Sequence, residues 1–516
     1  MRARYLILLL LFVGILQAAT YSYADIHRMP RGVEKDYFIW RYISQRSTSK
    51  KDAKRVIREA SHINKLLRTA YRKKTGKNPP RVASRRHGRK VTAAEKARYK
   101  KMIALRKAVF NDKDPLGKWM ALSPEEKLFV FNSSGKKGRR KLDHRLDRSE
   151  WDMLCKAAGF GRSIRYIMRE NLPMMKKALL YPPQKQNAID SKTLTRLGFY
   201  ALYLGKKSIS YQYFLAAASK APKREDADKA LFWAWQVSKK KKVLKRLAKS
   251  YDINIYTLAA RDILDMPYPK IPKLSLPSGG VGGFDIKDPI EWSRLKRKIF
   301  TPGVDLGKLA ERFKKAETVG IYTYIKNKES RDTVQYFPMP YRNIVKKLPK
   351  SRQAILYAIA RQESRFIPAS VSRSYALGMM QIMPFLVKHI AKIRHEKIDY
   401  NDMFDPKKAI VYANEHMNYL TKWLRHPLFI AYAYNAGIGF TKRLIRRKNF
   451  FHTNSDYEPW LSLERIENGQ ANHYGKKVLA NYVIYMNMLG VEVRLSDLME
   501  ILHKPEMTDK FRSAVK

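Results

Sequence analysis

The chain has 516 residues, 45% hydrophobic and 12% aromatic, which excludes a disordered protein and leaves room for two or three domains. Its formal net charge of +60 calls for a polyanionic partner or surrounding, and a single cysteine, Cys155, excludes an intramolecular disulfide. After the first nineteen residues no apolar run is long enough to cross a bilayer.

Met1 to Ala19 reads as a secretory signal: Arg2 and Arg4 lead an apolar stretch from Tyr5 to Leu16, and small Ala18 and Ala19 follow. No cysteine stands just after it, so a lipid anchor there is not expected. From Tyr37 to Asp265 apolar residues recur every three or four positions, which predicts consecutive helices. Leu197, Tyr200, Ala201 and Leu204, followed by Tyr211, Phe214 and Leu215, suggest an antiparallel pair. Leu231, Trp235 and Val237, followed by Leu244, Leu247 and Ala248, suggest another, and pairs stacked in this way form an α-solenoid. The basic residues are spread through helical segments such as Lys50 to Arg58 and Arg98 to Lys107, with no nucleic-acid motif beside them. Cell-wall carboxylates, anionic lipid or plainly solvated lysine faces are the remaining readings of the charge.

Pro267, Pro269, Pro272 and Pro277 precede Ser278, Gly279, Gly280, Val281, Gly282 and Gly283, which marks a connector. No Gly-Lys-Ser/Thr follows, so it is not a phosphate-binding loop. Helical periodicity returns at Leu306 to Ala316, and a final compact segment opens near Phe337. Within it, Ile355, Ile359 and Glu363 follow one another at four-residue spacing, so the carboxyl lies in line with the apolar face of its helix, and Pro368 stops the helix soon after. A carboxyl so placed is partly desolvated, which favours its neutral form and suits it to donate a proton. Further on, Asp405 as N-cap and Pro406 as first helical residue open a scaffold helix with Ile410, Ala413, Met417, Leu420 and Leu424 on one face.

Glu363-Ser364, Phe366, Pro368, Ser372, Ala376 and the run Gly378-Met379-Met380-Gln381-Ile382-Met383-Pro384 resemble the first two motifs of the soluble lytic murein transglycosylase catalytic domain. Ala433-Tyr434-Asn435-Ala436-Gly437 resembles the third, and Leu463-Glu464-Arg465-Ile466 leading to Tyr474 the fourth. The resemblance implies an all-α chain, with an N-terminal superhelical domain of stacked helix pairs and a lysozyme-like catalytic domain after it. It implies that Glu363 is the catalytic acid/base and that Tyr474 orients it. Ser372, Met380, Gln381, Tyr434, Asn435 and Glu464 would contact substrate, whereas Met379, Met383 and Tyr432 read as packing. Gly437 would permit a close backbone approach. The pattern departs from the family at Tyr375, where a glycine is expected, at Met379, where the family motif has a leucine, and at Gln470 and Asn472, which puts subsite contacts in doubt.

The expected division is a signal at 1–19, a basic superhelix at 20–265, a linker with connecting helices at 266–336, the catalytic domain at 337–495 and a tail at 496–516. The implied activity is cleavage of peptidoglycan glycan strands in the periplasm with 1,6-anhydro products, without cofactor or metal, and with other cell-wall enzymes as candidate partners. Two alternatives stay open. One is a hydrolytic lysozyme using a second carboxylate such as Asp399, Asp402 or Asp405; the other is an inactive polyanion-binding helical protein.

Overall fold

The computed structural model describes residues 20–81, 92–184 and 186–512, so the signal expected at 1–19 lies outside the described residues. Among these the regular structure is helical, and the extended pairings are three isolated bridges, Val371 with Leu377, Leu377 with Ile382 and Leu424 with Asp509. No helix among the described residues is long and apolar enough to cross a membrane.

Helix α1 (Val33–Ser44) carries the aromatic residues Tyr37 and Trp40 on a buried face. The solenoid-like part follows as α2 (Ser191–Tyr203), α3 (Lys207–Ser219), α4 (Arg224–Ser238), α5 (Lys241–Ala248) and α6 (Ile255–Ile263). Connections of a few residues make successive helices antiparallel neighbours. Their contact faces hold Leu197, Ala201, Phe214, Leu231, Leu244 and Leu247, all buried.

The connector contains α7 (Pro289–Ile299), α8 (Leu306–Arg312) and α9 (Val319–Glu329), which close on a small core of their own around Trp292, Leu309, Phe313 and Ile325. Ile367 and Ala369 of the final segment join that core, so the connector is packed against the segment it leads into. In the final segment α10 (Lys350–Glu363), α11 (Pro406–Thr421), α12 (Pro427–Ala436) and α13 (Gly469–Met488) form the scaffold. The Asp405 side chain accepts from the Lys408 amide, with Pro406 at the first turn of α11, and Ile410, Ala413, Met417, Leu420 and Leu424 are buried.

Of the tail expected at 496–516, the described residues, up to 512, are packed into the fold. Helix α14 (Leu495–Glu500) buries Leu495 and Met499. Beyond it the Arg512 guanidinium pairs with Asp509 at 2.8 Å and donates to the carbonyls of Leu502 and Phe451. A buried guanidinium with that many partners pins this segment.

The N-terminal helices grip the final segment at two places. At the first, Arg41 of α1 pairs with Asp399 at 2.5 Å and the Tyr37 hydroxyl donates to Asn401 Oδ1 at 2.7 Å. At the second, Glu464 accepts from Lys229 of α4 at 2.7 Å, from the Tyr256 hydroxyl of α6 at 2.6 Å and from Lys476 of α13 at 3.0 Å. Burial alone would raise the Glu464 pKa, but Lys229 and Lys476 hold it well below the usual carboxylate range. Removing one partner of a buried pair leaves an uncompensated charge, so Glu464→Ala, which strands Lys476, is expected to lower stability by about 3–5 kcal/mol. Urea unfolding of the full chain checks this, and a loss below about 1 kcal/mol would contradict a buried electrostatic joint.

Candidate active site

Ile355 and Ile359 anchor α10 in the core, and Glu363 projects one turn later from its last residue. The chain then leaves the helix sharply, with Arg365 and Phe366 both in the left-handed region (φ 55° and 63°). The carboxyl therefore sits at a helix C-terminus, where the macrodipole disfavours negative charge. Its one side-chain partner among the described residues is the Tyr474 hydroxyl of α13, which donates to Glu363 Oε1 at 2.8 Å.

Burial pushes the Glu363 carboxyl up to about 7, and the Tyr474 hydrogen bond opposes that rise without cancelling it. No lysine or arginine offsets the burial, although arginines stand two residues away on either side. Arg361 turns to the Tyr336 carbonyl at 2.9 Å and Asn481 Oδ1 at 2.6 Å, and Arg365 to Asp332 at 3.2 Å. Glu363 as a residue is still partly exposed, so it is not sealed in the core.

Opposite α10 the segment 364–382 folds back on itself. The Ser364 hydroxyl donates to the Met379 carbonyl at 2.7 Å, the Ser372 hydroxyl accepts from the Ala376 amide at 2.9 Å, and the Gln381 side chain donates to the carbonyls of Gly378 and Ser370 at 2.8 and 3.1 Å. Gly378 has φ +74°, and a Cβ there would lie 1.8 Å from the Met403 carbonyl oxygen, so only glycine fits. From α12, the Tyr434 hydroxyl donates to the Met380 carbonyl at 2.8 Å. The Tyr434 pKa is raised by burial first and then by the charge of Glu363.

The structure thus gathers Glu363, Tyr474, Tyr434 and the Met380 backbone. Asn435, partly exposed near the end of α12, has no side-chain hydrogen-bond partner among the described residues and is open to a ligand. Ser372 and Gln381, expected to contact substrate, use their polar atoms to shape the loop. Met380 is only 1% exposed, so its side chain packs as Met379 does and offers little apolar wall. Glu464, expected to contact substrate, has its carboxyl engaged in the joint between α4, α6 and α13. Gly437 has φ +87°, which favours glycine, and a Cβ there would meet nothing within 4 Å, so the backbone is open to a close approach.

Tyr375 resolves one departure noted in the sequence. It keeps a left-handed backbone (φ 64°) while its ring stacks on Trp40 of α1, centroids 5.6 Å apart, and its hydroxyl donates to the Asp36 carbonyl at 2.9 Å. No local pattern foretells this, since the partners lie more than three hundred residues upstream. His416 of α11, read only as scaffold, packs its ring 5.5 Å from Tyr434, and burial pushes its pKa down to about 4, so it is neutral near pH 7.

A helical domain presenting one reachable carboxyl, held protonated near neutrality and bonded by a tyrosine hydroxyl, has the arrangement of a single-residue general acid/base site. Residues 341–456 match the transglycosylase SLT domain family. The chain is 27% identical over 169 residues to the soluble lytic murein transglycosylase of Salmonella typhimurium, covering 31% of this chain and 25% of that protein. To the Escherichia coli K12 protein of the same name it is 27% identical over 161 residues, covering 30% and 24%. The matched part thus spans about a quarter of the length of these curated relatives. Among solved structures, the 70 kDa soluble lytic transglycosylase of Escherichia coli aligns over 93% of this chain and 84% of that one at 16% identity and TM-score 0.46. An inactive mutant of the Pseudomonas aeruginosa lytic transglycosylase Slt aligns over 90% and 83% at 16% identity and TM-score 0.44.

The raised pKa has a consequence for stability. The folded-state value of about 7 exceeds the ordinary 4.5, so between these values the folded protein binds more protons than the unfolded chain, and stability falls as pH rises through that window. Glu363→Gln removes the penalty of ionising the buried group. At pH 8 the variant is expected to be more stable than wild type by about 1–2 kcal/mol, allowing for solvent screening of a partly exposed group, with the difference vanishing near pH 4. Thermal unfolding at both pH values checks this; a variant less stable at pH 8 would contradict it.

Proposed function

We propose that the protein is an exported lytic transglycosylase, cleaving the bond between N-acetylmuramic acid and N-acetylglucosamine in peptidoglycan and closing a 1,6-anhydro ring. The catalytic domain is the segment 337–495, and the basic helical part before it holds the anionic strands. The observation that carries the reading is a single free carboxyl, Glu363, protonated near neutral pH with Tyr474 as its partner. In the reaction Glu363 donates its proton to the glycosidic oxygen as the C1–O bond breaks. The sugar's own acetamido oxygen stabilises the charge at C1, the C6 hydroxyl then attacks C1, and its proton returns to Glu363. Nucleophile and reacting carbon belong to one ring, which removes the entropic cost of capturing a separate one.

The hydrolytic alternative needs a second carboxylate to activate water or attack C1. Its three candidates are otherwise engaged. Asp399 pairs with Arg41, Asp402 accepts from the Asp399 amide at 3.0 Å, and Asp405 caps α11 and pairs with Lys287 at 2.6 Å.

Mass analysis of digested peptidoglycan tests the proposal. The expected fragments end in anhydro-muramic acid and weigh one water less than hydrolysis products, and Glu363→Gln is expected to lower turnover at least about a thousandfold, since one group serves both proton transfers. Fragments with only reducing ends, or entry of solvent oxygen-18 at the new terminus, would overturn it.

A further inference from the structure

A cavity of about 290 Å³ opens at the end of α10 opposite Glu363, and nothing in the reaction described above uses it. Its walls come from the first turns of α10, the end of α11, the link into α12 and the later half of α13. All its lining residues belong to the final segment, and none of them is Glu363, Tyr474, Tyr434 or Asn435.

The charged residues of the lining are Arg352 and Arg425, and no carboxylate stands among the lining residues. Arg352 is half-buried and donates only to neutral acceptors, chiefly Asn414 Oδ1 and Asn418 Oδ1, both at 2.8 Å, and Thr421 Oγ1 at 3.0 Å. Those bonds fix the plane of the guanidinium, while burial lowers its pKa with no anion to offset the loss. Arg425, exposed at the mouth, donates to the Glu506 carbonyl and has no carboxylate partner among the described residues. Tyr482 of α13 is only 9% exposed, and its hydroxyl has no hydrogen-bond partner among the described residues. A buried donor left unmade is costly, and an acceptor in the cavity would satisfy it. The remaining lining is apolar: Ile355, Pro427 and Ile430 are buried, with Leu348 and Pro349 beside them.

A guanidinium fixed in plane, a second cation at the mouth and a spare hydroxyl, set over an apolar floor, match a carboxylate carried on a compact apolar body. A bare anion would leave the floor wet. We propose that this cavity binds a small free carboxylic acid, its carboxylate held by Arg352, Arg425 and Tyr482 and its apolar body resting on Ile355, Pro427 and Ile430. The bound acid joins α10, α11, α12 and α13 in the folded chain alone, so it stabilises the fold. The site stands apart from the glycan reading, and the failure of one leaves the other untouched.

Calorimetry on the full chain tests the site with benzoate as the probe. One benzoate per chain is expected to bind saturably in the millimolar range. Benzamide, acetate and inorganic phosphate are each expected to bind at least about tenfold more weakly, the first for want of charge and the other two for want of an apolar body. Tyr482→Phe, which deletes one hydroxyl and keeps the ring, and Arg425→Gln, at an exposed position, are each expected to weaken benzoate by about tenfold. Arg352→Lys, which keeps the charge and loses the planar fork, is expected to do the same. If that variant does not fold, the other two still decide. Benzoate is also expected to raise the melting temperature of wild type more than that of Tyr482→Phe. No saturation by about 20 mM benzoate, or unchanged affinity in Tyr482→Phe or Arg425→Gln, overturns the site. Benzamide, acetate or phosphate binding as tightly as benzoate overturns the assignment of an apolar carboxylic acid.

Discussion

A carboxyl that is to carry a proton near neutral pH must be kept from water and from cations alike, and in a chain with 105 lysines and arginines against 45 acidic residues the second condition is the harder one. Glu363 meets it through the direction of its neighbours. Arg361 and Arg365 lie close in sequence, but helix geometry at one and a left-handed turn at the other send them away, to Tyr336 and Asn481 and to Asp332. What remains at Glu363 is a neutral hydroxyl, the low-dielectric side of α10 and the negative end of a helix. A single lysine turned toward the carboxyl would return it to the ordinary acidic range and take away its use as a proton donor at neutral pH.

That arrangement depends on packing contributed from far up the chain. Trp40 and the Asp36 carbonyl hold Tyr375 in the loop facing Glu363, and Arg41 holds Asp399 at the start of the segment leading into α11. On the other side Lys229 offsets the charge of Glu464 and the Tyr256 hydroxyl donates to it, beside α13, the helix that carries Lys476 and Tyr474. Buried ion pairs add little net stability against an apolar replacement, but they tolerate only one register between the elements they join. The helical N-terminal part thus acts as a frame for the final segment.

The parts legible in the sequence were those governed by local rules. Four-residue spacing put Glu363 on the buried stripe of its helix, Asp405 and Pro406 marked a helix start, and apolar periodicity placed the stacked helices between 191 and 263. Residues whose role depends on a distant partner were not legible. Glu464 looks like a site residue by its motif, and its partners Lys229 and Tyr256 lie more than two hundred positions upstream. Met380 could not be told from a ligand wall without its burial, and the anchoring of 495–512 rests on Arg512 reaching Phe451 and Leu502. Tyr375 combined both difficulties, since a left-handed position usually signals glycine and the compensation here is tertiary.

The account stands on the ionisation of one group, and that can be observed directly. Infrared difference spectra of wild type against Glu363→Gln, followed across pH, isolate the carbonyl stretch of the protonated Glu363 carboxyl. The account predicts that this band is lost with a midpoint near 7. A midpoint near the ordinary 4.5 would show that burial does not hold the proton, and would contradict the acid role assigned to Glu363.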